Sequence, residues 1–328
     1  MDALSEILRV IKLESAIYLN GEFSAPWGVS SPHSSVLAPL LSERPGHVII
    51  YHLLCEGRAT VEHADGRVNL EAGDLITFPH GDPHIVCSDS RVTPVNAQDD
   101  LPQVLEKKLE LWQVGGGGVC SRFICGFLMC DPQLSENFLG GLPRFIRIRI
   151  RSDESGRWLE NTLRFSVTQA ADREAGAGAV VAKLSEVLFC ETLRRYGRDL
   201  PRDQTGWLAG ARDPEIGKAL AALHRRPAYP WTLAELAHQA GLSRTVLAER
   251  FRHFLGEPPI AYLTGWRLRL GARALTTTSQ SVAQIALDTG YESEAAFNRA
   301  FKREYDLPPA RYRKEQAMLR ASTVAATS

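Results

Sequence analysis

Four side chains in the first half of the chain have the chemistry to hold a divalent metal. His80 and His84 flank a short turn, His52 lies on a candidate strand before it, and Cys125 lies on a later one. Imidazole nitrogens suit Zn, Ni or Fe, and a thiolate favours Zn. The same side chains could instead hydrogen-bond to one another inside a sheet with no metal at all. A second chemistry stands near the other end. Two short segments that start at Ser243 and Ser293 each carry an apolar i, i+4 pair, Leu247/Phe251 and Phe297/Phe301. If those pairs are buried on helices, Arg244, Thr245, Ala248, Glu249 and Arg252 point outward from the first, and Glu294, Ala295, Asn298, Arg299 and Lys302 from the second. Most of these side chains can reach base edges or phosphates.

The elements that must position this second set form an internal repeat. Thr232–Gly241 matches Ser281–Gly290 at an offset of 49, and Ser243–Tyr262 matches Ser293–Tyr312 at an offset of 50. Each copy opens on a hydroxyl residue followed three positions later by Glu235 or Gln284, which predicts a capping box. Each first helix ends at a Gly suited to the left-handed C-terminal position. Ser243 and Ser293 are placed to cap second helices, and the pairs Pro258/Pro259 and Pro308/Pro309 to stop them. Each copy is thus helix, turn, helix. Ala261–Thr276 between the copies reads as a helix that sets their spacing.

Charge divides the same way. The chain has 38 basic and 38 acidic residues, yet a cut after Gly206 leaves 21 basic and 27 acidic before it, and 17 basic and 11 acidic after it. Fourteen of those last 17 are Arg, whose planar fork suits phosphates and base edges. An acidic first part and a basic second part point to two domains with different partners.

Gly290–Arg313 resembles the signature of AraC/XylS-type bacterial transcription regulators, and Trp231–Trp266 is similar to the first helix-turn-helix of the same domain. The resemblance implies two recognition helices in successive major-groove segments. It makes Arg244, Thr245, Ala248 and Glu249 the first base-facing set, and Glu294, Ala295, Asn298 and Arg299 the second. Ala248 and Glu249 leave the first set poor in long donors, so Asn298 and Arg299 are expected to carry more of the direct readout. Ser243, Ser293, Arg250, Arg252, Lys302, Arg303, Arg311 and Arg313 are the phosphate candidates.

The acidic half reads as short strands: Ile17–Leu19, Val48–Leu54, Ala59–Glu62, Val68–Leu70, Leu75–Phe78 and Ile85–Val86, with another at Phe123–Met129. Gly73–His84 resembles the second motif of cupins, with Ser88 where Asn is usual, and the first motif lacks its His-x-His and Glu. The resemblance implies a barrel, either with a metal on His52, His80, His84 and Cys125 or with those groups hydrogen-bonded inside it. Trp27, His52, Phe78, His84 and Cys125 are the expected lining of an effector pocket, although Ser24–Gly28 also reads as a packed strand start. Asp89–Cys120, with Gly115–Gly118, reads as a flexible excursion. Cys120, Cys125 and Cys130 recur every five residues, which alternates faces on a strand and favours free thiols over a redox set. Trp158–Ala170 and Ala179–Tyr196 read as helices, the second with an apolar stripe (Val180, Leu184, Val187, Leu188, Leu193) for barrel packing or for a dimer contact.

The expected architecture is α+β and multidomain: a cupin-like effector and dimerisation domain over 1–200, with flanking helices around a β-barrel; a linker over 201–212; an all-α double helix-turn-helix DNA-binding domain over 213–316; and a disordered tail over 317–328. The expected function is a sequence-specific regulator of transcription, not an enzyme, controlled by a small molecule or metal in the barrel. A metal-dependent cupin enzyme fused to a DNA-targeting module is the alternative. Expected partners are double-stranded operator DNA, RNA polymerase and a second copy of the chain. No apolar run approaches the roughly 18 residues of a membrane span, and the acidic start lacks the form of a signal peptide, so the expected location is the cytoplasm.

Overall fold

The computed structural model describes residues 2–11, 13–41, 46–201 and 203–327. They form two units: Leu13–Cys130 with Pro143–Asp199, and Met1–Lys12 with Asp131–Leu142 and Leu200–Ser328.

The first unit is built on strands β1 (Glu14–Ser24), β2 (Gly28–Ser31), β3 (His47–Glu56), β4 (Arg58–His63), β5 (Gly66–Glu71), β6 (Asp74–Phe78), β7 (His84–Cys87), β8 (Val95–Asn96), β9 (Trp112–Gly115), β10 (Cys120–Cys130) and β11 (Ile146–Arg149). One sheet has the order β11-β6-β3-β10-β1-β9 and the other β5-β4-β7-β2-β8. Inner residues of both sheets share one apolar core that includes Phe23, Leu54, Val61, Phe78, Val86 and Phe123. Every residue of β3 from Val48 to Cys55 is buried, because the strand is covered on both faces. His52 and Leu54 face the shared core side, while the Tyr51 hydroxyl on the other face bonds Ser185 Oγ. Alternation along a strand requires that division.

Gly81 turns the chain between β6 and β7 at φ +67°, where a Cβ would lie 2.7 Å from Val48 O. The Gly of the cupin-like motif is therefore required by both backbone angle and space.

With the N-terminal helix α1 (Ala3–Ile11) as the first in the chain, the helices of the barrel unit are α2 (Ser34–Leu41), α3 (Ala97–Glu106), α5 (Glu154–Ala171) and α6 (Ala177–Arg198); α4 (Pro132–Leu139) belongs with α1 in the second unit. The apolar stripe of α6 is divided. Leu188 and Leu193 are buried, whereas Val180 and Val187 are exposed, as are Trp158 and Phe165 on α5. The expected excursion 89–120 contains β8, α3 and β9. Its glycines are pinned rather than loose: Gly115 pairs with Ser24, Gly116 N–H donates to Ser24 O, and Gly118 N–H donates to Ala25 O.

The helical unit contains α1, α4, α7 (Trp207–Arg212), α8 (Pro214–Arg225), α9 (Leu233–Ala240), α10 (Arg244–Leu255), α11 (Pro259–Thr277), α12 (Val282–Asp288), α13 (Glu294–Tyr305) and α14 (Pro309–Thr327). Helix α1 packs on α7 and α8, and α4 packs on α7 and α11. Arg225 Nε donates to the buried Glu6 carboxylate at 2.8 Å, and Arg273 Nη1 donates to Val10 O at 2.7 Å. Residues 1–12 and 131–142 thus cluster with the C-terminal helices although they flank the barrel strands β1 and β10. The segment expected as a linker carries α7, whose Trp207 is buried and donates its indole N–H to Tyr262 Oη at 2.8 Å. The segment expected as a disordered tail continues α14; residues 202 and 328 lie outside the described residues.

Candidate nucleic-acid interface and barrel cavity

The two helix-turn-helix units are built alike on the inside. Glu235 N–H donates to Thr232 Oγ1 at 3.2 Å and Glu235 Oε2 accepts from Thr232 N at 3.0 Å, a complete capping box. Ser281 Oγ likewise accepts from Gln284 N at 3.1 Å, but the Gln284 side chain turns to Asp288 instead, at 2.7 Å. The second box is therefore only half made. The turns follow at Gly241 and Gly290, with φ of +76° and +85°. Leu242 N–H and Tyr291 N–H then reach back to Ala237 O and Ala286 O. Such 6→1 bonds satisfy carbonyls that the helix end would leave bare.

Ser243 and Ser293 cap the second helices by accepting from Val246 N and Ala296 N. Leu247, Phe251, Phe297 and Phe301 are fully buried, and each is worth about 1.5–3 kcal/mol of hydrophobic burial. The stops differ from expectation. Gly256 and Asp306, at φ +77° and +55°, end α10 and α13. The proline pairs open the following helices, with Pro259 and Pro309 as the first helical residues of α11 and α14. A missing N–H costs nothing at a helix start.

On the outer faces, Arg244, Thr245, Glu249 and Arg252 are exposed and Ala248 is half-buried; Glu294, Ala295, Arg299, Lys302 and Arg303 are exposed and Asn298 is half-buried. Among the described residues Arg244, Arg252, Arg299, Lys302 and Arg303 form no ion pair. Two of the expected phosphate donors are differently employed. Arg250 reaches the Glu215 carboxylate at 3.1 Å and also the Asp213 carboxylate, which caps α8. Arg313 donates to Leu275 O at 3.0 Å and to Gln280 O at 2.6 Å, closing the end of α11. Arg311 pairs with Glu315 at 2.7 Å on an exposed face.

In the barrel unit, a cavity of about 90 Å³ is lined by residues that include Trp27, His52, His84 and Cys125. Phe78, the fifth expected lining residue, instead stacks flat on the His84 ring at 3.7 Å. The expected excursion supplies a wall through Val95, Leu101, Val104 and Val114. The repeat of Leu101, Val104 and Leu105 at helical spacing was the signal for it, masked by Asp99, Asp100 and Pro102.

His52 and Cys125 face each other across β3 and β10, with Nδ1 and Sγ 2.9 Å apart. His52 Nε2 lies 2.8 Å from His84 Nε2, and His84 Nδ1 lies 2.8 Å from Asp82 O. A carbonyl can only accept, so His84 carries its proton on Nδ1 and has a lone pair on Nε2. His52 must then donate from Nε2, which leaves its Nδ1 to accept from the Cys125 thiol. All three groups are neutral in this chain. Burial supports that state: it holds His84 down at about 4 and His52 well below its ordinary value, and pushes the Cys125 thiol up.

A metal does not fit these residues as placed. Cys125 and His84 meet opposite nitrogens of the His52 ring, so they do not converge on one point. His80 is half-buried on its turn and is not part of the cavity lining. Among the described residues no three His, Cys, Asp or Glu side chains gather as a metal site. All six cysteines are free thiols, with Cys120 exposed and Cys125 and Cys130 buried.

Comparison with known proteins matches this layout. The Cupin family covers residues 2–197, and a Helix-turn-helix domain covers residues 236–315. The HTH-type transcriptional regulator AlkR of Acinetobacter baylyi is 30% identical over 96% of this chain and 100% of its own length. A putative AraC-like transcription regulator of Streptomyces lividans is 30% identical over 97% of this chain and 100% of its own. The RCS-specific HTH-type transcriptional activator RclR of Escherichia coli is 25% identical over 97% and 99%. The chain belongs to the AraC-type transcription regulators with an N-terminal Cupin domain.

This regulator is accordingly a DNA-binding protein, and nothing among these relatives supports the alternative of a fused enzyme. No helix among its described residues is long and apolar enough to cross a membrane.

Proposed function

We propose that the helical unit reads an operator through α10 and α13, with Asn298 and Arg299 of α13 making most of the base contacts and α10 chiefly positioning the domain. The observation that carries this is the state of the outer faces. Helix α13 offers Asn298, Arg299, Lys302 and Arg303 with no ion pair among the described residues, whereas α10 offers Arg244 and Arg252 around Ala248 and Glu249. Thr245, Glu294 and Ala295 complete the base-facing set. Arg244, Arg252, Lys302 and Arg303, with the helix starts at Ser243 and Ser293, hold phosphates. Arg250 and Arg313 brace the scaffold.

The barrel cavity is the effector site in this reading, and the regulator works in the cytoplasm, where its operator and RNA polymerase are. Chain continuity supplies a route from cavity to DNA. Tyr18, Phe23, Phe123 and Cys125 on β1 and β10 line the cavity, and the paired ends of those strands, Glu14 and Met129, run on into α1 and α4. Both helices pack within the helical unit. An effector that prefers one arrangement of β1 and β10 would shift the population of DNA-competent molecules. The exposed Trp158, Phe165, Val180 and Val187 on the paired helices α5 and α6 are the surface expected to pair two copies.

Selection of bound sequences from a random DNA pool by the full chain tests the reading. One recovered consensus, with affinity falling steeply as salt rises, is the expected result. Recovery of no consensus would refute sequence-specific reading.

A further inference from the structure

The cavity in the barrel carries information about what enters it, and the inference below rests on the reading of that cavity as the effector site. Most of its wall is aliphatic or aromatic, and among the described residues Asp100 is its one charged lining residue. Among the described residues no Lys or Arg is part of the lining. An anion would therefore be desolvated beside a carboxylate, without a counter-charge from the described lining, which strongly disfavours it. A metal cation finds no converging donors, because the Cys125, His52, His84 and Asp82 groups already satisfy one another in sequence.

Four lining donors have no hydrogen-bond partner among the described residues: the Trp27 and Trp112 indole N–H groups and the Tyr18 and Ser31 hydroxyls. Trp27 is 4% exposed, lines the cavity, and its indole Nε1–H is buried with no acceptor. Tyr18 also lines the cavity, and its hydroxyl has no hydrogen-bond partner among the described residues. A buried donor left without a partner is costly. Trp27 would recover that cost against an acceptor brought in by a ligand, and the partly buried Tyr18 hydroxyl offers a second donor. Size sets a third limit. An engineered dry cavity that takes benzene measures about 150 Å³, and this one measures about 90 Å³.

We propose that the barrel cavity takes an uncharged, mainly apolar molecule smaller than benzene, carrying a carbonyl or hydroxyl oxygen that accepts from Trp27 Nε1–H or Tyr18 O–H. Carboxylates and divalent cations are disfavoured by the described lining.

The test uses the full chain with ¹⁵N-labelled tryptophan, and the Trp27 indole resonance assigned by Trp27→Phe. 2-Butanone, butane, propionate and Zn²⁺ are titrated in turn. 2-Butanone should bind and move the Trp27 N–H resonance, or lose affinity in Tyr18→Phe if the tyrosine is the donor used. Butane should bind without moving that resonance, and propionate and Zn²⁺ should not enter. The donor's removal should weaken 2-butanone roughly fivefold, the loss of one neutral hydrogen bond, and leave butane unchanged. Butane also serves as the folding control for both variants. Tighter binding of propionate or Zn²⁺ than of 2-butanone overturns the proposal. So does 2-butanone binding that neither substitution weakens, or failure of both neutral probes to bind. Operator affinity measured on the same samples separates the two readings: occupancy of the cavity with no change in DNA affinity speaks against its role as effector site and leaves the ligand class standing.

Discussion

The two helix-turn-helix units share an interior and differ in how their outer faces are engaged. Leu247 and Phe251 in one take the places of Phe297 and Phe301 in the other, all fully buried. Outside, the first unit commits Arg250 to the carboxylates of Asp213 and Glu215 and exposes Glu249, an acid. The second leaves Arg299, Lys302 and Arg303 outside any ion pair among the described residues. The first unit is tied into α7 and α8 through Trp207, His224 and Tyr262, while the second has its own aromatic cluster of Phe297, Phe301, Tyr305 and Tyr312. In the proposed reading, a repeated scaffold supports two different tasks, anchoring and reading.

Deleting a core ring should have the largest effect and should be alike in both units if the interiors are equivalent. Phe251→Ala and Phe301→Ala are each expected to cost about 3–5 kcal/mol in denaturant unfolding. A loss in one unit far smaller than in the other would break the equivalence.

Acid should separate the two units. His224 is buried in the first, and burial holds it at about 3, far below the 6.5 of an unfolded imidazole. Its neutral form contributes stability that is complete above pH 6.5 and is lost as pH falls toward 3. The second unit's cluster contains no histidine. Hydrogen exchange followed from pH 7 down to pH 4 should therefore show α7 and α8 opening before α12 and α13. The reverse order would contradict the assignment.

The caps offer a finer comparison. Thr232→Ala removes a reciprocal box and should cost about 1–2 kcal/mol, whereas Ser281→Ala removes one bond and should cost about 0.5–1 kcal/mol, both read by thermal or chemical melting. At the small end lies the salt dependence of DNA affinity. Lys302→Ala should lower the slope of log affinity against log salt by about 1. Arg250→Ala should leave that slope unchanged and lower stability by about 1 kcal/mol. A changed slope in Arg250→Ala would return that residue to the phosphate set.

Much of the helical unit was legible because its signals are local. The 50-residue offset, the hydroxyl caps and the turn glycines each act within a few residues of the bonds they make. Strands β1, β3 to β7 and β10 and the helices α5 and α6 were legible from periodicity for the same reason, whereas the short strands β2, β8, β9 and β11 were not. What escaped depends on distant partners. Nothing near Arg250 in the chain announces Asp213 and Glu215, 37 and 35 residues away. Nothing in residues 1–12 or 131–142 announces that they pack on α7, α8 and α11. Helix α3 was hidden by Pro102 and two acids, although its Leu101 and Val104 wall the cavity. His52, His84 and Cys125 were found, but the Asp82 carbonyl that sets the protons of the whole chain is a backbone group that no residue type reveals.

The division between anchoring and reading is tested most directly by Arg299→Ala and Arg244→Ala, measured against the selected operator and its single-base variants. Arg299→Ala is expected to cost about 1–3 kcal/mol and to erase discrimination at one or two positions. Arg244→Ala is expected to weaken all sequences by a similar factor. Loss of discrimination in Arg244→Ala, with a uniform loss in Arg299→Ala, would contradict the account.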